Sequence, residues 1–162
     1  MNAYANKEFK MLRDELKKQL VEAMKSKNDA VVGTIRLINA AIKQKDIEAR
    51  PGGNMDGIDD AAILSLMQSM IKQRRESIDM YTKGGRPELA AAEQREIDVI
   101  QTFLPKQMSE DEMKQAISNV ITATGASTIK DMGKVMGALR GKYAGQMDFG
   151  AASSLIKQML AG

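Results

Sequence analysis

SEDEMKQAISNVITATG, residues 109–125, carries a complete helix signature. Ser109 with Glu112 three residues on forms a capping box, Met108 and Met113 flank it as a hydrophobic staple, and Ile117, Val120 and Ile121 recur at helical spacing. Gly125 supplies the stop. Reading outward from this segment gives helices throughout. After it comes DMGKVMGALRGKYAGQ (131–146), a sixth helix, and Asp148 caps a seventh holding Ala152, Leu155, Ile156 and Met159. Before it, Pro105 ends a fourth helix that opens at Pro87 and buries Leu89, Ile97, Ile100 and Leu104. A third helix runs from an Asp59 N-cap, with Ile58 stapled to Ile63, through Met67, Ile71 and Ile78 to the Gly84–Gly85 stop. Residues 51–57 read as a loop. Ahead of it, a second helix is capped by Asp29 and buries Val31, Ile35, Ile38 and Ile42, and a first buries Phe9, Leu12, Leu16, Leu20 and Met24.

The expected fold is therefore all-α, an N-terminal four-helix part over 1–106 and a small three-helix bundle over 107–162, with Pro105 as the seam and residues 1–10 as a possible extension. Composition agrees. Helix formers abound, the chain has three prolines among its 162 residues, and aromatics are limited to three Phe and three Tyr. The thirteen methionines read as adaptable core filler.

With no cysteine there are no disulfides, no thiolate nucleophile and no Cys-based zinc or iron site. With no histidine the commonest general base and metal ligand is missing too, so Ser–His, Cys–His and two-His-carboxylate centres are excluded. The sequence predicts no catalytic residue, metal or cofactor. No apolar run reaches the ~18 residues of a membrane span, and MNAYANKEFK lacks a signal-peptide core, so a cytoplasmic chain without a membrane partner is expected. A net charge of +3 permits an anionic partner without demanding one.

Within the sixth helix Gly133, Gly137, Gly141 and Gly145 recur at every fourth residue. Each glycine inside a helix costs roughly 1 kcal/mol relative to alanine, a sizeable share of the ~5–15 kcal/mol that stabilises a domain. Rotation by about 100° per residue puts the four on one arc, with Lys130 and Lys134 inside it and Arg140 at its edge. Met132, Val135, Met136, Leu139 and Tyr143 cluster on the opposite side. Two readings stay open for this strip. A polyanion backbone can reach near a helix that lacks side chains, with cations to neutralise it; alternatively, a second helix can pack on the small residues.

On the third helix, KQRR puts Arg74 in line with Met67, Ile71 and Ile78, so this cation needs a partner. Glu93 and Glu96 lie beside Leu89 and Ile100 on the fourth helix, and an antiparallel hairpin brings the two faces together. Paired carboxylates can serve as acid and base or as hard-metal ligands, or they can form a structural Arg–Glu network that fixes the register of the hairpin. Lys72 and Arg75 read as a solvated basic edge, and Gly84–Gly85 lacks the strand and the GKS or GKT of a nucleotide loop.

KQRRESIDMY, the run from GGRPELA through AAEQREIDVI to FLPKQMSEDE, and KDMGKVMGALRGKYAGQMD together resemble the GatB/YqeY family over residues 11–160, including its paired glutamates at Glu93 and Glu96 and its Leu104–Pro105 hinge. The resemblance implies a helical N-terminal part followed by a small three-helix part. It also implies kinship with the tail of the B subunit of glutamine-dependent aminoacyl-tRNA amidotransferase, a module that contacts the body of tRNA and performs no chemistry. By position, Gly133, Lys134, Gly137, Gly141 and Gly145 become RNA-facing, with Lys130, Arg140 and Lys142 as further charge donors. Where the family has a basic residue after the last glycine, this chain has Gln146. The implied partners are tRNA or another structured RNA and a protein of tRNA-dependent amidation. A carbon–nitrogen ligase using glutamine as amido-N-donor would need its catalytic parts from elsewhere, because nothing resembling them is present.

Overall fold

The computed structural model describes residues 11–161, so Phe9 and the candidate extension over 1–10 lie outside the described residues. Seven α-helices and no strand are found among the described residues. Four precede Leu104: α1 (Met11–Lys25), α2 (Asp29–Ala49), α3 (Asp60–Lys83) and α4 (Pro87–Gln101). Three follow Pro105: α5 (Glu110–Thr124), α6 (Met132–Tyr143) and α7 (Phe149–Ala161). The chain's contacts cluster into two compact units that meet at the Leu104–Pro105 bond.

In the first unit α3 and α4 pack together along their length, α2 packs on α1 and α4, and α1 touches α3. The core holds Leu12, Leu16, Ile35, Ile38, Ile63, Leu64, Met67, Ile97 and Ile100, all essentially inaccessible to water. Several details depart from the sequence reading: α4 ends at Gln101 and Phe103 is buried where Leu104 is half-buried, and Val32 rather than the half-buried Val31 belongs to the α2 core. Met24 is exposed and Ala23 is buried in its place. Successive four-residue steps advance about 40° each around a helix, so Met24 stands about 120° from Leu12, whereas Ala23 returns to within about 20°. The α2 N-cap is Asn28, whose side chain accepts the Val31 amide at 3.3 Å, and Asp29 becomes the first helical residue, where its charge complements the helix dipole. Asp59 caps α3 by accepting from the Ala62 amide.

The second unit has a separate core of Met113, Ile117, Val120, Val135, Met136, Leu139, Met147, Ala152 and Ile156, to which all three helices contribute. The Ser109–Glu112 capping box forms in both directions, and Gly125 ends α5 in the left-handed conformation (φ 68°). Asp148 Oδ1 accepts from the Gly150 and Ala151 amides at the start of α7. Met159 is 40% exposed, one residue short of the half-buried Leu160 that points inward instead.

Candidate nucleic-acid interface

The approach to α6 is a 3-10 turn, Ile129–Asp131. Asp131 organises it: its Oδ2 accepts from the Ser127 amide at 2.9 Å and the Thr128 amide at 3.1 Å. These two bonds, Ser127 first, with the charge of Lys134 adding to them, hold the Asp131 carboxyl below its ordinary range. Lys130 therefore sits in this turn and not on α6.

On α6 the apolar stripe is inward: Val135, Met136 and Leu139 are buried, and Met132 and Tyr143 are half-buried. Gly133, Gly137 and Gly141 occupy the opposite, exposed face. A Cβ built on any of these three meets nothing within 4 Å. Nothing in the unit thus requires glycine there, and the strip is open.

Gly145 does not belong to that strip. α6 ends at Tyr143, Ala144 turns extended (ψ 129°), and Gly145 takes a left-handed φ of 76° while buried. Only a glycine adopts that φ without strain, and the reversal removes it from the helical register. Its carbonyl accepts from Gln107 Nε2 at 2.6 Å, and the Gln146 carbonyl accepts from the Met108 amide at 2.8 Å, so this turn anchors the segment that leads into α5. Gln146 is half-buried.

The cations are held to different degrees. Lys134 Nζ donates to the Thr124 carbonyl at 2.8 Å, closing the C-terminal end of α5, so its ammonium has a structural role. Arg140 lies 5.9 Å from the centre of the Phe149 ring, and Lys142 lies 5.5 Å from that of Tyr143. Both are within cation–π range and exposed. Against Lys130, Lys134, Arg140 and Lys142 this stretch sets one acid, Asp131, which leaves it electropositive.

In the first unit, Arg74 Nε donates to Glu96 Oε2 at 2.7 Å and Nη1 donates to the Met70 carbonyl at 3.1 Å. The Arg74 side chain is 14% exposed and that of Glu96 34%. Glu93 is half-buried and forms no ion pair among the described residues, so the two glutamates do not share the arginine. No group of three or more His, Cys, Asp or Glu that could hold a metal occurs among the described residues.

A second polar cluster escaped the sequence reading. Arg13 meets Asp46 through two hydrogen bonds, at 2.7 and 3.0 Å, and also donates to the Ile58 carbonyl at 3.0 Å. Asp46 Oδ1 accepts from the Ile58 amide at 2.8 Å. This clamp closes the loop between α2 and α3. Gly57, with φ +90°, passes so near that a Cβ on it would stand 2.7 Å from Asp46 Oδ1. The glycine was the only visible signal, since Arg13 and Asp46 are 33 residues apart.

Comparison with known proteins settles the family. The YqeY-like protein family matches residues 13–160. This chain belongs to that family. Among curated relatives it is 32% identical over 148 residues to altered inheritance of mitochondria protein 41, mitochondrial, of Lachancea thermotolerans, covering 88% of this chain and 75% of that protein. The protein of the same name from Clavispora lusitaniae is 30% identical over 92% of this chain and 85% of its own length. That of Eremothecium gossypii is 38% identical over 89 residues, 55% of this chain and 46% of the relative. Those relatives are mitochondrial by name. In the present chain no helix among the described residues is long and apolar enough to cross a membrane.

Proposed function

We propose that this chain is a non-catalytic RNA-associated module in which the three-helix bundle after Pro105 grips structured RNA, tRNA above all, by shape and phosphate, and the four-helix part carries it. The observation behind this reading is the open glycine strip of Gly133, Gly137 and Gly141, rimmed by Lys130, Arg140 and Lys142. Glycine in a helix is unfavourable, and no neighbour inside the unit compensates, so the gain is expected from something outside it. A phosphate backbone laid on such a strip approaches closely and meets cations on both sides. A role in tRNA-dependent amidation, as accessory to a glutamine-using carbon–nitrogen ligase, belongs to the same proposal, as does a cytoplasmic setting; the catalytic groups would come from a partner.

The test is salt-dependent binding of bulk tRNA. With three or four phosphate contacts, raising salt from about 50 to 200 mM weakens binding roughly ten- to hundredfold. Lys130→Ala, Arg140→Ala and Lys142→Ala together abolish it while leaving the melting temperature in place. An affinity indifferent to salt overturns the reading. The competing reading is a protein helix seated on the same small residues. Gly137→Leu hurts both, whereas loss of the cations leaves a helix partner mostly untouched.

A further inference from the structure

The α2 helix has two apolar faces. Val32, Ile35, Ile38 and Ile42 form the buried one. Ala30, Gly33, Leu37, Ala40 and Ile47 form the other, interrupted by Gln44, which donates to Glu48 at 3.1 Å, and every one of the six is exposed. Leu37 and Ile47 each stand 45% open to solvent, and a Cβ on Gly33 meets nothing within 4 Å. Their spacing alternates three and four residues along the whole helix, the a/d repeat of a two-helix seam. On that register the g positions are Asp29, Arg36, Lys43 and Arg50, one acid at the start of the helix followed by three cations, the last of them in the turn that ends it. All three are exposed, and none forms an ion pair among the described residues. Two of the acids on α2 are engaged elsewhere, Glu48 with Lys45 at 2.8 Å and Asp46 with Arg13, and the third, Asp29, lies at the N-terminal end of the helix.

We propose that this outer face of α2 docks an acidic amphipathic helix from another protein. Ala30, Gly33 and Ala40 leave hollows between Leu37 and Ile47 into which the knobs of a partner helix fit. A single edge of cations at seven-residue spacing calls for carboxylates at the same spacing on the partner, which fixes its register. A second copy of this chain does not satisfy that edge. Antiparallel pairing sets Arg36 against Lys43 and gives only Arg50 an acid, Asp29, whereas parallel pairing sets Arg36 against the half-buried Ala41 and gives only Lys43 an acid, Glu48, which already pairs with Lys45. Nucleic acid would neutralise the cations but press phosphates onto Leu37 and Ile47.

The probe is a synthetic helix about three heptads long, with leucine at a and d and glutamate at e and g, alongside a twin carrying lysine for each glutamate. Titrated against the full chain, the acidic helix binds, and binding weakens as salt rises. The variant Arg36→Glu/Lys43→Glu/Arg50→Glu loses roughly tenfold or more in affinity and gains the lysine twin instead. Leu37→Asp abolishes binding of both peptides. These side chains are exposed, so thermal melts of the variants match the parent, and Gly137→Leu on α6 leaves the affinity unchanged, which separates this surface from the RNA proposal. Failure of the acidic helix to bind overturns the inference. So does equal binding of the lysine twin by the parent chain, self-association of the chain through α2, or an interaction through Arg36, Lys43 and Arg50 only with anionic phospholipid vesicles or tRNA.

Discussion

Gly57 and the glycines of α6 are the same residue used for opposite reasons. At Gly57 the backbone is left-handed and the space is already taken by the ends of Asp46 and Arg13, so a side chain there would be strained and would have to displace the clamp that closes the loop between α2 and α3. At Gly133, Gly137 and Gly141 the backbone is helical and the space is empty. The first glycine is explained by its own fold. The other three cost helical stability, and no neighbour within 4 Å of their Cβ positions accounts for them, which is the premise of the RNA surface proposed above.

The sharpest way to break this contrast is alanine at both places. Gly57→Ala forces a Cβ into the clamp at an unfavourable φ and is expected to cost about 2–3 kcal/mol in chemical unfolding. A loss below about 0.5 kcal/mol would mean that the loop simply relaxes. The triple variant Gly133→Ala/Gly137→Ala/Gly141→Ala has the opposite sign: with open space and improved helix propensity it should gain about 1–2 kcal/mol while weakening tRNA binding. Stabilisation with undiminished binding would remove the ligand explanation for the strip.

The ion pair on the α3–α4 hairpin gives a smaller effect. Glu96→Gln is expected to cost about 1 kcal/mol, because Arg74 is mostly buried but Glu96 is partly screened by water. Glu93→Gln, with no ion pair to lose, should stay within about 0.5 kcal/mol of the parent. Equal losses at the two positions would restore the shared network that the coordinates divide.

The smallest effect concerns Asp131. Its carboxyl is held below its ordinary range by the Ser127 and Thr128 amides, so its folded value lies below its unfolded one. The stability it contributes is present above the unfolded value and is lost as the pH falls through the folded one. Asp131→Asn should therefore melt slightly earlier than the parent at neutral pH, and the two should converge in acid. A gap that persists in acid would assign the effect to geometry rather than charge.

The helices were legible because their signals are local. The Ser109–Glu112 box, the Asp59 cap, Pro87 and Gly125 each act within a few residues, and the folded chain uses all of them, whereas α4 already stops at Gln101, ahead of Pro105. The face of α6 was legible as well, since rotation about a helix axis is arithmetic on the sequence. Gly145 was misplaced because the four-residue spacing continues past the point where the helix stops, and that end is set by a turn bonded to Gln107, 38 residues away. Lys134 was read as free for a ligand because Thr124, whose carbonyl it reaches, lies on another element.

By itself, then, the sequence determined the all-α class, the ends of most helices and which side of each is apolar, because propensity, capping and periodicity operate over one or two turns. Tertiary structure alone decided which of the paired glutamates meets Arg74, that Arg13 and Asp46 close a loop around Gly57, and that Leu37 and Ile47 on α2 stay uncovered among the described residues. These depend on groups far apart in the chain being brought within about 3 Å of each other, or left uncovered, and no local pattern encodes that distance.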